Sequence, residues 1–118
     1  MKLIRALALL VVSTVALADV KPGDAAPAFS LPGSDGRTHA LADYAGKFVV
    51  LEWTNDGCPF VHKHYDSGNM QSLQKDATAR GVVWLSMVSS APGKEGHVTA
   101  QQAAQLTRER HAAPTAVL

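Results

Sequence analysis

Phe48-Val49-Val50-Leu51-Glu52-Trp53-Thr54-Asn55-Asp56-Gly57-Cys58-Pro59-Phe60-Val61 is the stretch that decides the fold. Its continuous apolar run, rich in β-branched and aromatic residues, predicts a strand buried on both faces, as a central parallel strand is. Asn55-Asp56-Gly57 ends the run with turn formers. Cys58-Pro59 then opens a helix, because the fixed φ and missing N–H of proline suit the first helical position. The chain's one cysteine therefore falls where a buried strand hands over to a helix N-terminus.

Downstream, the helix is expected to hesitate at Ser67-Gly68-Asn69 and to resume to Arg80, with Gly81 as its C-cap. Val82 to Val88 reads as a second buried strand, and Ser89 to His97, rich in Pro, Gly and Ser, as a surface loop. Thr99 with Gln102 is a capping-box pattern opening a helix to about Arg110, whose last turn carries Arg108 and Arg110. Thr115 to Leu118 is an incipient strand. It stops on apolar residues with no turn after it, so the expectation is a domain whose C-terminal part is missing.

Upstream, Leu41 to Gly46 is a helical turn stopped by glycine. Phe29-Ser30-Leu31 and Arg37-Thr38-His39-Ala40 flank Pro32 to Gly36 as a short hairpin. Asp19 to Ala28, with Pro22, Gly23 and Pro27, is an extended arm. The order hairpin, β, α, β, α, β is an α/β pattern with crossover helices.

The chain has 118 residues, 11 Lys and Arg against 10 Asp and Glu, and a net charge of +1. The first 18 residues carry Lys2, Arg5 and an apolar run from Ala6 to Ala18 broken only by Ser13 and Thr14. Ala16 and Ala18 frame a signal-peptidase pattern, so residues 1–18 read as a signal peptide and 19–118 as one domain. The apolar stretch is shorter than the roughly 20 residues a membrane span needs. Without Lys2 and Arg5 the balance turns negative, which removes any basic footprint for nucleic acid. Export places the protein in the periplasm or outside the cell, where disulfides persist, with no stable membrane association after cleavage. A single cysteine excludes an internal disulfide framework and a four-cysteine zinc site.

Several linked motifs resemble a known group. Ala26-Pro27-Ala28-Phe29-Ser30-Leu31-Pro32, Asp35-Gly36, Leu41 to Lys47 and Phe48 to Trp53, leading to Cys58-Pro59-Phe60-Val61, are similar to the redoxin branch of the thioredoxin-fold superfamily. That branch includes the alkyl hydroperoxide reductase/thiol-specific antioxidant (AhpC/TSA) proteins. Asn55, Lys63-His64-Tyr65, Asn69-Met70 and Ser89 to Gly93 resemble more narrowly a peroxiredoxin-like subgroup. The resemblance implies a thioredoxin-like three-layer α/β fold with an N-terminal β-hairpin, and a catalytic Cys58.

The same resemblance locates three departures. Where thioredoxins carry Cys-x-x-Cys, the fourth position is Val61, so the usual resolving thiol is absent. Where peroxiredoxins carry Pro-x-x-x-Thr-x-x-Cys, Leu51 and Asn55 stand in place of Pro and Thr. Cys58 also matches the first cysteine of the thioredoxin pair, whereas the peroxidatic cysteine corresponds to the second. Glu52, six residues before Cys58, matches the buried carboxylate that accepts a proton beneath the thioredoxin site.

Two function classes follow. In the first, Cys58 attacks a peroxide or a protein disulfide, its thiolate favoured by the helix N-terminus, with Glu52 relaying a proton. The oxidised sulfur then needs an external thiol reductant. Pro59, Asn55, Trp53 and His62 support the site. His62 shares the cysteine's helix face at i+4, and Trp53 lies beside the turn, although Trp53 and Trp84 are both adequately explained as core. In the second, the chain is a redox-inactive binding module for a protein partner or metal. Cys58 and His62 could supply two ligands to copper or zinc, but no complete metal set is evident and no cofactor is expected.

Overall fold

The computed structural model describes residues 20–118. The signal peptide assigned to residues 1–18 lies outside the described residues. A hairpin of two three-residue strands, β1 (Ser30–Pro32) and β2 (Thr38–Ala40), is followed by one 3-10 turn at Leu41–Tyr44. Then come β3 (Val49–Thr54), α1 (Pro59–Asp66), α2 (Asn69–Ala79), β4 (Val83–Val88), α3 (Ala100–Glu109) and β5 (Ala116–Val117). The strands β3, β4 and β5 form one parallel sheet in that order, with Glu52 opposite Ser86 and Leu85 opposite Ala116.

The local punctuation behaves as the sequence implies. Gly68 takes a φ of 75° between α1 and α2, a left-handed conformation that other residues reach only with strain. Thr99 and Gln102 close a reciprocal capping box at the start of α3.

The two faces of the sheet carry different covers. On one, Val83, Leu85, Met87 and Ala116 form the apolar core, and Phe29, Leu31, Tyr44, Val49, Leu51 and Leu118 pack against them. These come from alternate strand positions and from the hairpin, as period-2 alternation requires. The hairpin is fastened to β5 by Ser34 N–H donating to Val117 O at 2.8 Å. Its buried His39 joins the Asp35 carboxylate, at 3.1 Å, to the Tyr44 hydroxyl. The opposite face lies under the helices, where Tyr65 of α1 and Gln74 and Ala77 of α2 are buried. Hairpin, sheet and helices are the expected three layers.

Two expectations need correction. Among the described residues β4 is the central strand and is almost wholly buried, whereas β3 stands at the edge and is half-buried. An apolar run reports how a strand packs on average and carries no information about its rank in the sheet. Trp84 is core at 9 % exposure, but Trp53 is 65 % exposed: Val49 and Leu51 of the edge strand pack against the apolar core, and Trp53 is not among the residues that do.

Candidate functional site

Cys58 occupies the N-cap of α1 in an extended conformation (φ −83°, ψ 122°), with Pro59 at the first helical position. Its backbone is tied on both sides: its N–H donates to Asn55 O at 3.0 Å, and its carbonyl accepts from His62 N–H at 3.1 Å. The side chain makes no capping bond to the helix and is half-buried. A turn fixed this firmly holds Cys58 at the start of the helix, an end whose unpaired N–H groups favour an anion.

The turn before it is held by side chains the sequence had singled out, in roles it did not specify. Asn55 accepts from Gly57 N–H at 2.8 Å, an Asx turn, and donates to Ser90 Oγ at 2.6 Å and to Glu95 O at 3.2 Å. The 89–98 loop therefore overhangs the turn, and Asp56 N–H reaches Gly96 O at 3.3 Å. Gly96 is a close-approach glycine: a Cβ there would come within 2.7 Å of Gly57 N and collide with the Asn55 carboxamide. His62 Nε2 donates to Asp56 O at 2.7 Å and its Nδ1 lies 3.8 Å from the Asp66 carboxylate. Its ring thus braces the turn rather than being aimed at the thiol. Pro59 is exposed, as is Trp53.

Glu52 is half-buried, with both carboxylate oxygens engaged inside the fold. Its Oε1 accepts from the Tyr65 hydroxyl at 2.8 Å, and its Oε2 from Trp84 Nε1 at 2.8 Å, Ser86 Oγ at 2.8 Å and Gln74 Nε2 at 3.2 Å. Gln74, fully buried, also donates to Tyr65 Oη at 3.0 Å and accepts from Ala113 N–H at 2.9 Å. One carboxylate, an acceptor only, thereby joins β3, α1, α2 and β4. Burial, then the charge of Glu52, pushes the Tyr65 phenol far above its ordinary range, so it stays a donor. The structure groups Glu52 with these four donors, and Asn55, Asp56 and His62 with the Cys58 turn; no hydrogen bond joins Glu52 to Cys58.

Sequence reasoning missed the four donors. Two signals were present: Ser86 is the one polar residue inside the run Val82 to Val88, and Glu52 the one charge inside Phe48 to Trp53. Polar groups enclosed by buried strands require partners. Parallel register then sets the two opposite each other.

The fold is that of the thioredoxin-like class. A "Solution Structure of a Putative Thioredoxin from Neisseria meningitidis" superposes with a TM-score of 0.57 at 22 % identity, covering 79 % of this chain and 56 % of that one. Residues 22–111 match the AhpC/TSA family, and the chain belongs to it. Two proteins from strains of Mycobacterium tuberculosis, each named "Putative peroxiredoxin", are 57 % identical over 30 residues. That match spans 25 % of this chain and 19 % of theirs.

Proposed function

We propose that this protein is an exported thiol-based oxidoreductase in which Cys58 is the reactive group, acting in the periplasm or outside the cell. Family membership supports thiol redox chemistry, and the leader-like residues 1–18 support export. The observation that carries the reading is the placement of Cys58: a half-buried N-cap residue on a turn locked by the Asn55 side chain and by His62 on the Asp56 backbone carbonyl. A cysteine serving only as a small core hydrophobe needs no such frame.

With a peroxide, the thiolate forms an S–O bond as the O–O bond breaks, leaving a sulfenic acid and, after protonation, water or an alcohol. An external thiol condenses with the sulfenic acid to give a mixed disulfide and water, and a second thiol releases Cys58. With a protein disulfide the mixed disulfide forms directly. Val61 at the resolving position makes either cycle depend on an outside reductant.

The test is the rate at which the purified protein reacts with hydrogen peroxide and with a disulfide reagent across pH. Cys58 should outpace free cysteine in at least one of the two reactions, and Cys58→Ser should abolish it. A thiol no faster than free cysteine leaves the redox-inactive binding module as the better description. The same assay on Glu52→Gln decides the proton-acceptor role: a displaced rate profile supports it, and an unchanged one removes Glu52 from the chemistry.

A further inference from the structure

Arg108 and Arg110 both sit at the end of α3, where a cation complements the helix dipole. Arg108 is exposed. Arg110 is turned inward, its side chain only 18 % exposed, and its Nη2 donates to Asp56 Oδ1 at 2.7 Å across 54 residues of sequence. Its guanidinium carbon lies 5.1 Å from the centre of the Tyr65 ring, within cation–π range. Its carbonyl accepts from Gln71 Nε2 at 2.8 Å, and His111, at a φ of 52°, ends the helix directly after it. Stacked on an aromatic ring and anchored at its backbone, the guanidinium is preorganised toward Asp56.

Asp56 stands two residues before Cys58. Its backbone is already committed at both ends, to Gly96 O and to His62 Nε2, so its carboxylate is carried with the turn. Left uncompensated, that negative charge opposes a thiolate on the same turn. We propose that Arg110 is a positioning residue for Cys58: it neutralises and holds the Asp56 carboxylate, removing one of two negative charges at the turn, the other being Glu95, whose Oε1 lies 3.3 Å from where a Gly57 Cβ would stand. The proposal rests on the reading of Cys58 as a reactive thiol. It also links the two halves of the site, since Tyr65, beneath the guanidinium, donates to Glu52.

The experiment measures the rate of Cys58 with a disulfide reagent at neutral pH and low salt, with thermal melts to verify folding. Arg110→Met, which keeps bulk and loses charge, should slow the reaction about tenfold, the scale of one uncompensated nearby charge. Arg110→Lys, which restores the charge without the planar fork, should recover it to within about threefold. Adding Asp56→Asn to Arg110→Met should restore the rate, because the opposing charge is gone; a role in packing alone would not be rescued this way. Asp56→Asn by itself should match or exceed the wild type, and this holds as a test even where Arg110→Met fails to fold. An Arg110→Met rate equal to wild type, a slow double variant, or a slow Asp56→Asn overturns the proposal. A fast wild-type thiol with an equally fast Arg110→Met sinks this inference alone, whereas a wild-type thiol no faster than free cysteine sinks it together with the proposed function.

Discussion

The two faces of the sheet are closed by different physics. Against the hairpin, Val83, Leu85, Met87 and Ala116 pack with Phe29, Leu31, Tyr44, Val49, Leu51 and Leu118, and the stabilisation among them is mainly area removed from water. Against the helices, a carboxylate sits among four donors, and the fit depends on every polar hydrogen finding its acceptor. The apolar face should tolerate changes that conserve volume; the polar face should tolerate almost none, since each unpaired buried group costs about 1–3 kcal/mol. The polar face is also the one that touches the site, through Tyr65 and Arg110.

The most severe way to break this contrast is Glu52→Leu, which conserves bulk and strands the Tyr65, Trp84, Ser86 and Gln74 donors. It should cost about 4 kcal/mol, read as a fall in urea midpoint. Leu85→Ala, at a residue with no exposure, should cost about 3 kcal/mol through lost transfer energy and a cavity. The sharper comparison uses near-isosteric pairs. Leu85→Met should stay under about 1.5 kcal/mol, while Glu52→Gln, which turns an amide N–H₂ toward groups that are themselves donors, should lose about 2 kcal/mol. Equal losses for these two would remove the distinction between the faces.

The smallest effect is alkaline. Burial and the Glu52 carboxylate hold the folded Tyr65 phenol neutral well above the ordinary tyrosine value of about 10. Its contribution to stability is therefore fully present below that value and is lost as pH rises toward the folded value, by about 1 kcal/mol between about pH 10 and 11. Tyr65→Phe should flatten this part of the stability profile; a profile that still falls as steeply in the variant assigns the loss to other groups.

Much of the fold is legible in the chain because its punctuation is local. Gly68, the Thr99–Gln102 box and Pro59 act within one turn of backbone, and the starts of the three helices follow from them to within a residue or two. The rank of β3 in the sheet was not legible, nor was the exposure of Trp53. Both depend on which segments cover which strand, and a strand's composition does not encode its neighbours. Glu52 was recognisable as an unusual residue by its place in an apolar run, but its partners lie 13 to 34 residues away on three elements.

By itself, the sequence determined that a lone cysteine meets a helix start after an apolar strand, that Val61 and not a second cysteine stands three residues after it, and that the elements alternate as an α/β domain. These are properties of adjacent residues and of spacing along one backbone. Only the tertiary structure decided that Asn55 is clamped by the 89–98 loop, that Asp56 is paired with Arg110 and that Glu52 holds four donors. Those contacts join residues whose proximity depends on how the helices settle on the sheet, so they came into view only with the packed chain.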